Sequence, residues 1–440
     1  LVAAAHLHAL GWQARVTLLA DVARMPPDAR RALDCAQAAG VDIQWGWSGE
    51  QAASDITIDA LLGMGSTRPP VGDMEQAILC MNKQAAPVLS VDLPSGLNVD
   101  TGATFGGEVV RADHTLALLT LKPGLFTGVA RDQVGRVWLD DLGMAQAWSE
   151  PTARLVGPPE RTVRLHQQHK GSFGDVLVLG GAPGMGGAAL LAARAALTAG
   201  AGRTLLARLD GGTAPDAPRP ELMPRTLADA LQPALLQRAT VVCGCGGGTA
   251  VAAQLPLVLL HAARLVLDAD GLNAVAADAA LRSALQQRAG RGQPTVLTPH
   301  PLEAARLLGC TTGAVQADRL AQAQALADAL QAVVVLKGSG SVVAGPGRVP
   351  QINPTGNARL GSGGSGDVLA GWLGGLWSQA AAGDAVTTAF TAACATVWLH
   401  GRAAEPGDDR LPLRAGDLAN AMAASLPPHA PPDGQPSTCS

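Results

Sequence analysis

Apolar positions along this chain gather into short, near-continuous runs separated by helical stretches. In the first 143 residues the runs are Arg15-Val-Thr-Leu-Leu19, Ile56-Thr-Ile-Asp-Ala-Leu-Leu62, Val88-Leu-Ser-Val-Asp-Leu93 and His114-Thr-Leu-Ala-Leu-Leu119. A strand that is apolar at nearly every position is covered on both faces, and strands alternating with helices join in parallel, so this stretch predicts an α/β unit. A second series follows: Asp175-Val-Leu-Val-Leu-Gly180, Arg203-Thr-Leu-Leu-Ala207, Ala239-Thr-Val-Val242, Arg264-Leu-Val-Leu-Asp268, Pro294-Thr-Val-Leu-Thr298 and Ala332-Val-Val-Val-Leu-Lys337. Ala/Leu-rich helical segments lie between these runs, so a second doubly wound sheet is expected. Ala145 to Pro159 is irregular and places the boundary. The expected units are residues 1–150 and 160–427, with residues 428–440, rich in proline and small polar residues, as a disordered tail. Leu1 to Leu10 has the pattern of the middle of an amphipathic helix with no cap before it, so further residues are expected upstream.

Composition narrows the class. At 440 residues the chain is too long for one ordinary core. With 48% hydrophobic and 15% charged residues and a net charge of −4, a small ligand is expected, not nucleic acid or an anionic membrane. No run of 18 apolar residues occurs and the N-terminus lacks the order of a signal peptide, which predicts a cytoplasmic protein. Seven scattered cysteines argue against a disulfide framework, and Cys243-Gly-Cys245 has no partner pair at metal-ligand spacing, so these read as core fillers. Tyrosine is absent from every possible mechanism.

The chemistry is concentrated where strands end. Asn353-Pro-Thr-Gly-Asn357 is followed by Gly361-Ser-Gly-Gly-Ser-Gly-Asp367 and then by the apolar run Val368-Leu-Ala-Gly-Trp372. Backbone N–H groups at such a helix start face an anion, while Asp367 faces whatever lies beside it. A flexible linker is the alternative reading. Gly180 to Gly187 is a Gly-rich turn without the Lys-Ser/Thr of a P-loop, equally readable as ligand contact or as tight strand-to-helix packing. Gly244-Cys-Gly-Gly-Gly248 permits close backbone approach. His300 sits between two prolines after a strand, and Lys337-Gly-Ser-Gly-Ser341 offers a cation and amides suited to phosphate, or else forms a hairpin turn. In the first unit, Asp59 and Asp92 lie at strand ends ahead of glycine. They read as a cation or acid/base pair, or as two helix caps.

In order and spacing, His169-Lys-Gly-Ser-Phe-Gly174, the Gly180 turn, Leu267-Asp-Ala-Asp-Gly-Leu-Asn273, Thr298-Pro-His-Pro-Leu-Glu303, Lys337-Gly-Ser-Gly and the run ending at Asp367 closely resemble the ADP-dependent NAD(P)H-hydrate dehydratases of the ribokinase-like superfamily. The similarity runs from about His166 to Leu426. It implies that Asp367 is catalytic, that Lys337, Gly338, Ser339, Gly340, Ser341 and Gly366 bind the adenine nucleotide (ADP or AMP), and that Ala189, Gly246, His300 and Asp367 contact the hydrated dinucleotide. Cys245 stands where that family commonly has proline, a departure expected to be tolerated.

His6-Leu-His-Ala-Leu-Gly11, Asp59 to Gly63, Asp92-Leu-Pro-Ser-Gly-Leu-Asn98, Asp100-Thr-Gly102 and Leu121-Lys-Pro-Gly124 resemble NAD(P)H-hydrate epimerase domains. That resemblance implies a Rossmann-like unit in which Asp59 and Ser95 ligate potassium. It also implies that Gly63, Met64, Gly65, Ser66, Thr67, Arg68, Pro69 and Asp92 contact the dinucleotide, that Asp92 is catalytic, and that Lys122 is near the same pocket. The family's Asn-Asn-Gly-Gly-Asp-Gly turn would precede Leu1, so the chain is expected to be N-terminally truncated and its epimerase half impaired.

The resemblance therefore implies a bifunctional enzyme. It would dehydrate the S hydrates NADHX and NADPHX to NADH and NADPH with ADP, either as an activating nucleotide or hydrolysed in the reaction, epimerise R and S forms, use potassium with Mg2+ as a further candidate, and form a homo-oligomer. A ribokinase-like kinase for a small alcohol such as a vitamin precursor is the alternative, and a dinucleotide-sensing protein is a third. The epimerase-like unit speaks against the kinase.

Overall fold

The computed structural model describes residues 1–49, 53–144, 150–160, 163–381, 383–408 and 410–427. The tail expected at 428–440 and the boundary residues 145–149 lie outside them. The chain divides into two compact units, Leu1–Leu125 with Val129–Ala147, and Phe126–Gly128 with Trp148–Ser440. Among the described residues no helix is long and apolar enough to cross a membrane.

The first unit is α/β with parallel strands, as its sequence implies, but the strands are divided between two sheets. Arg15–Leu18 pairs with Asp42–Trp45, while Thr57–Asp59, Val88–Val91, His114–Leu118 and Arg136–Asp140 form a separate four-stranded parallel sheet. The apolar run Ile56 to Leu62 yields three strand residues because the Asp59 carboxylate accepts the N–H of Leu61 (3.3 Å) and turns the chain out of the ladder. Arg136–Asp140 has polar ends and a half-exposed Trp138, a pattern the search for continuous apolar runs passes over.

The second unit is built on a ten-stranded sheet. Seven of its strands are parallel neighbours, in the order Met223–Pro224, Arg203–Arg208, Asp175–Gly180, Ala239–Cys243, Arg264–Leu267, Thr295–Leu297 and Val333–Leu336. Beyond them Val342–Ala344 is antiparallel to both its neighbours, Val333–Leu336 and Gln351–Ile352, and Arg154–Leu155 closes the edge parallel to Gln351–Ile352, so the doubly wound sheet is mixed. Side chains alternate between two cores. Leu177, Leu179, Val241, Leu265 and Leu297 face one, while Val176, Val178, Val242, Val266 and Val296 face the other. Each such burial contributes about 1.5–3 kcal/mol.

Register determines where the ligand-facing loops emerge. Leu179 pairs with Cys243, Cys243 with Leu267, Leu267 with Leu297, and Leu297 with Val334. The turns after these strands therefore leave the sheet along one edge, where doubly wound folds bind ligands. Helix Ser365–Ser378 reaches that edge lying against helix Gly186–Thr198. A Cβ on Gly371 would stand 2.0 Å from the Ala192 carbonyl oxygen, and one on Gly375 would stand 2.5 Å from that of Ala196. Only glycine allows this approach.

Candidate active sites

In the second unit, a cluster of ionisable groups forms at the carboxyl edge. Asp268 follows its strand, is almost wholly buried, and accepts hydrogen bonds from Lys337 Nζ and Thr298 Oγ1, each at 2.7 Å. The Cys245 thiol reaches Asp268 Oδ2 at 3.9 Å, and its Sγ lies within 4.8 Å of an oxygen of both Asp268 and Asp367. Ala269 takes a positive φ of 48°, and Asp270 Oδ2 accepts the Gly248 N–H at 2.8 Å, joining the Asp268 turn to the Gly244–Gly248 turn. Strain of this kind concentrates at functional sites.

Asp367 stands in the first turn of helix Ser365–Ser378, after Gly364 has taken a left-handed φ of 94°. Burial pushes its carboxyl up to about 6, reinforced by the charge of Asp268 and opposed by the Cys245 thiol and Lys337. Burial acts to lower the Lys337 pKa, but Asp268 and Glu303 outweigh it and the ammonium titrates above its ordinary range. Lys337 lies against the helix start, since a Cβ on Gly366 would meet its Nζ at 3.2 Å. Across the helix, His400 donates from Nε2 to the Ser365 carbonyl at 3.0 Å, and burial pushes its imidazole down to about 4, keeping it neutral.

The Lys337–Ser341 segment is a hairpin loop, because Leu336 pairs with Val342 in antiparallel register. Both sequence readings of it are compatible, since Gly338 and Ser339 are exposed at its tip. The buried guanidinium of Arg319 donates to the carbonyls of Leu336 and Lys337, both at 3.1 Å, and holds the loop's base.

Asn353-Pro-Thr-Gly-Asn357 braces the strand end. Asn353 Nδ2 donates to Val397 O (2.9 Å) and Asn357 Nδ2 to Ala404 O (3.1 Å), tying the strand end to helix Ala385–Arg402 and the turn after it. His300 caps helix Pro301–Leu308, its Nδ1 accepting the N–H groups of Leu302 and Glu303 while the Glu303 carboxylate accepts its own N–H. Nε2 faces Glu303 Oε1 at 3.3 Å on a half-exposed ring. Gly246 is partly exposed at the edge.

Ala189 is wholly buried among core alanines, its methyl turned toward Gly181. The neighbouring Ala188 is partly exposed and lies beside Gly246. Asp268 and Cys245 were not called as site residues. Asp268 had a signal, a carboxylate directly after a fully apolar strand, whereas Cys245 had none beyond its glycine neighbours.

In the first unit, Asp92 follows strand Val88–Val91 with a positive φ of 71°. Its Oδ1 accepts from Leu118 N (3.1 Å) and from the buried Lys122, whose Nζ also donates to Leu118 O at 2.7 Å. Asp92 and Lys122 thus form an ion pair bridging two neighbouring strand ends. Asp59 is buried nearby in sequence order and sheet position, accepting from Ser90 Oγ (2.8 Å), Ser95 N (2.9 Å), Ser95 Oγ (2.6 Å) and Leu61 N. Asp59 and Ser95 thus form one buried hydrogen-bonded group of oxygen atoms. Gly63, Met64, Gly65, Thr67 and Arg68 are exposed in the loop after it, with Ser66 and Pro69 half-buried.

Comparison with known proteins matches both halves. Residues 176–422 fit the family model described as NAD(P)H-hydrate dehydratase, and residues 1–124 fit that of the YjeF-related protein N-terminus. The bifunctional NAD(P)H-hydrate repair enzyme of Escherichia coli is 36% identical over 93% of this chain and 79% of its own length. That of Leishmania braziliensis is 38% identical over 80% of this chain and 68% of its own. A solved ribokinase-like superfamily protein from Enterococcus faecalis superposes with a TM-score of 0.52 at 21% identity, covering 64% of this chain and 98% of the other, which shows a shared fold. With both halves matched and its relatives aligned over most of their length, this chain belongs to the bifunctional NAD(P)H-hydrate repair enzymes.

Proposed function

We propose that the second unit dehydrates the S hydrates of NADH and NADPH with ADP, with Asp367 as the proton-transferring group, and that the first unit interconverts R and S hydrates at Asp92. The observation that carries the first part is a carboxyl poised near pH 6 in the first turn of a helix, next to a lysine and a glycine-rich hairpin. A group titrating close to working pH both accepts and returns a proton efficiently.

The residues fit an adenine nucleotide. Lys337, the exposed amides of Gly338 and Ser339, and the N-terminus of helix Ser365–Ser378 supply positive potential at one edge. Gly340, Ser341 and Gly366 complete that wall, and Gly366 keeps the backbone close enough for its N–H to face a phosphate oxygen. Bound ADP would supply its terminal phosphate: Asp367 takes the proton from the substrate hydroxyl, whose oxygen bonds that phosphorus as its bond to AMP breaks, and phosphate then leaves with the C–O electron pair while a proton is lost from the adjacent ring carbon. Gly246, Ala188 and the free edge of His300 border the space for the dinucleotide. Lys337 provides a cation beside Asp268, and Mg2+ remains a candidate companion of the nucleotide phosphates.

In the first unit, the Asp92 carboxylate is held in a strained conformation with Lys122 as counter-ion, suited to proton exchange at the hydrated ring. The exposed Gly63–Pro69 loop offers backbone contacts to the dinucleotide.

The test is recovery of reduced-nicotinamide absorbance from the S hydrate, with AMP and phosphate measured per turnover. Asp367→Asn is expected to lose recovery by at least about a hundredfold, in line with removal of a general base, while retaining nucleotide affinity. Wild-type protein that fails to restore absorbance but phosphorylates an alcohol would replace this reading with the kinase.

A further inference from the structure

Cys245 occupies an unusual place for an unreactive core thiol. It follows strand Ala239–Cys243, is fully buried, and is fixed by backbone bonds on both sides. Its carbonyl accepts Gly181 N (3.0 Å) and that of Gly246 accepts Ala182 N (2.7 Å). A Cβ on Gly180 would stand 2.2 Å from the Cys245 oxygen, so the two turns are interlocked. It is directed at Asp268 and Asp367, with donor atoms within 4.8 Å.

The thiol has one proton for two carboxylates. Asp268 is already held by Lys337 and Thr298, and its distance to Sγ, 3.9 Å, is long. Among the described residues, no N–H or O–H group bonds the Asp367 side chain.

We propose that Cys245 is a positioning residue of the dehydration site, its thiol donating to the Asp367 carboxylate and holding that group toward the Lys337 loop. The catalytic consequence rests on the function proposed above. The contact rests on the thiol lying within 4.8 Å of an Asp367 oxygen that no other group among the described residues bonds. Burial keeps the thiol protonated, pushing its pKa well above the ordinary value, so it acts as a neutral donor and not as a competing charge. The other groups facing Asp367 are Asp268 and Asp270 from the turn after Arg264–Leu267, Lys337 from its hairpin and Glu303 behind Lys337, with neutral His400 at the helix start. A donor to the ionised form lowers a carboxyl pKa, so losing the thiol raises it.

The experiment is a pH titration of the full-length protein by infrared difference spectroscopy, wild type minus Asp367→Asn, which isolates the Asp367 carboxyl band without substrate. Wild type is expected to titrate near 6. Cys245→Ala is expected to move the midpoint up by about half a pH unit, as for loss of one weak charge-assisted bond. Cys245→Ser, which retains a donor, should keep the midpoint at or below the wild-type value, and the wild-type S–H stretching band should shift as Asp367 ionises. The acid limb of dehydration kcat/KM should follow the same order. An unchanged midpoint in Cys245→Ala, or serine behaving as alanine does, would overturn the proposal. A normal Asp367 titration with the expected thiol response, in protein that does not dehydrate the S hydrate, would support the contact and count against the functional reading.

Discussion

Asp367 illustrates how one side chain carries both the chemistry and a cost in stability. Its folded pKa is about 6 against an ordinary 3.8, so the folded state holds the proton more tightly than the unfolded one. Stability therefore falls as pH rises from about 4 to 6, and above that range the native protein bears an ionised carboxylate it would keep protonated. Asp367→Asn removes that penalty. Its melting temperature is expected to exceed wild type at pH 7, by a stability gain on the order of 2 kcal/mol, and to match it at pH 4. Equal melting temperatures at both pH values would show that burial of the carboxyl has been overstated. Lys337→Met belongs to the same scale. It strips the cation from both Asp268 and the bound phosphate, so calorimetry should show nucleotide affinity weakened by about tenfold or more.

Much of this was legible in the sequence, and for a physical reason. Asp367, Lys337 and Asp92 each lie directly after a strand or at a helix start, positions where local pattern and chemistry coincide. Cys245 and Asp268 gain their meaning from strand register, which places residues 23 apart side by side. No local pattern encodes that.

At the scale of elements, the helix that carries Asp367 is positioned by its glycines. Gly371 and Gly375 let helix Ser365–Ser378 lie against the carbonyls of helix Gly186–Thr198. Replacing a helical glycine with alanine gains roughly 1 kcal/mol of propensity. A methyl at Gly371, 2.0 Å from Ala192 O, must push the helices apart, and overpacking of this kind costs about 1–3 kcal/mol or more. Gly371→Ala is therefore expected to lower the melting temperature and to reduce dehydration more than nucleotide binding, since Asp367 moves with the helix. Greater stability with full activity would remove the packing account. The hairpin turn at Lys337–Ser341 was one of two readings the sequence offered, while its second strand, Val342–Ala344, has three residues, fewer than an apolar run needs to stand out.

At the scale of the molecule, the chain holds two compact units with separate ionisable centres, Asp92 with Lys122 in one and Asp367 with Asp268 and Lys337 in the other. Each unit has its own strands and core. Substitutions should therefore separate the activities. Asp92→Asn is expected to slow conversion of the R hydrate while leaving dehydration of the S hydrate within about twofold, as for sites that share no partners. The central claim concerns the larger unit, and the most direct measurement is ADP-dependent recovery of reduced-nicotinamide absorbance from purified S hydrate by wild-type and Asp367→Asn proteins. Full recovery by wild type and none by the variant, with nucleotide binding retained in both, is the predicted result. Equal recovery by the two proteins would contradict it.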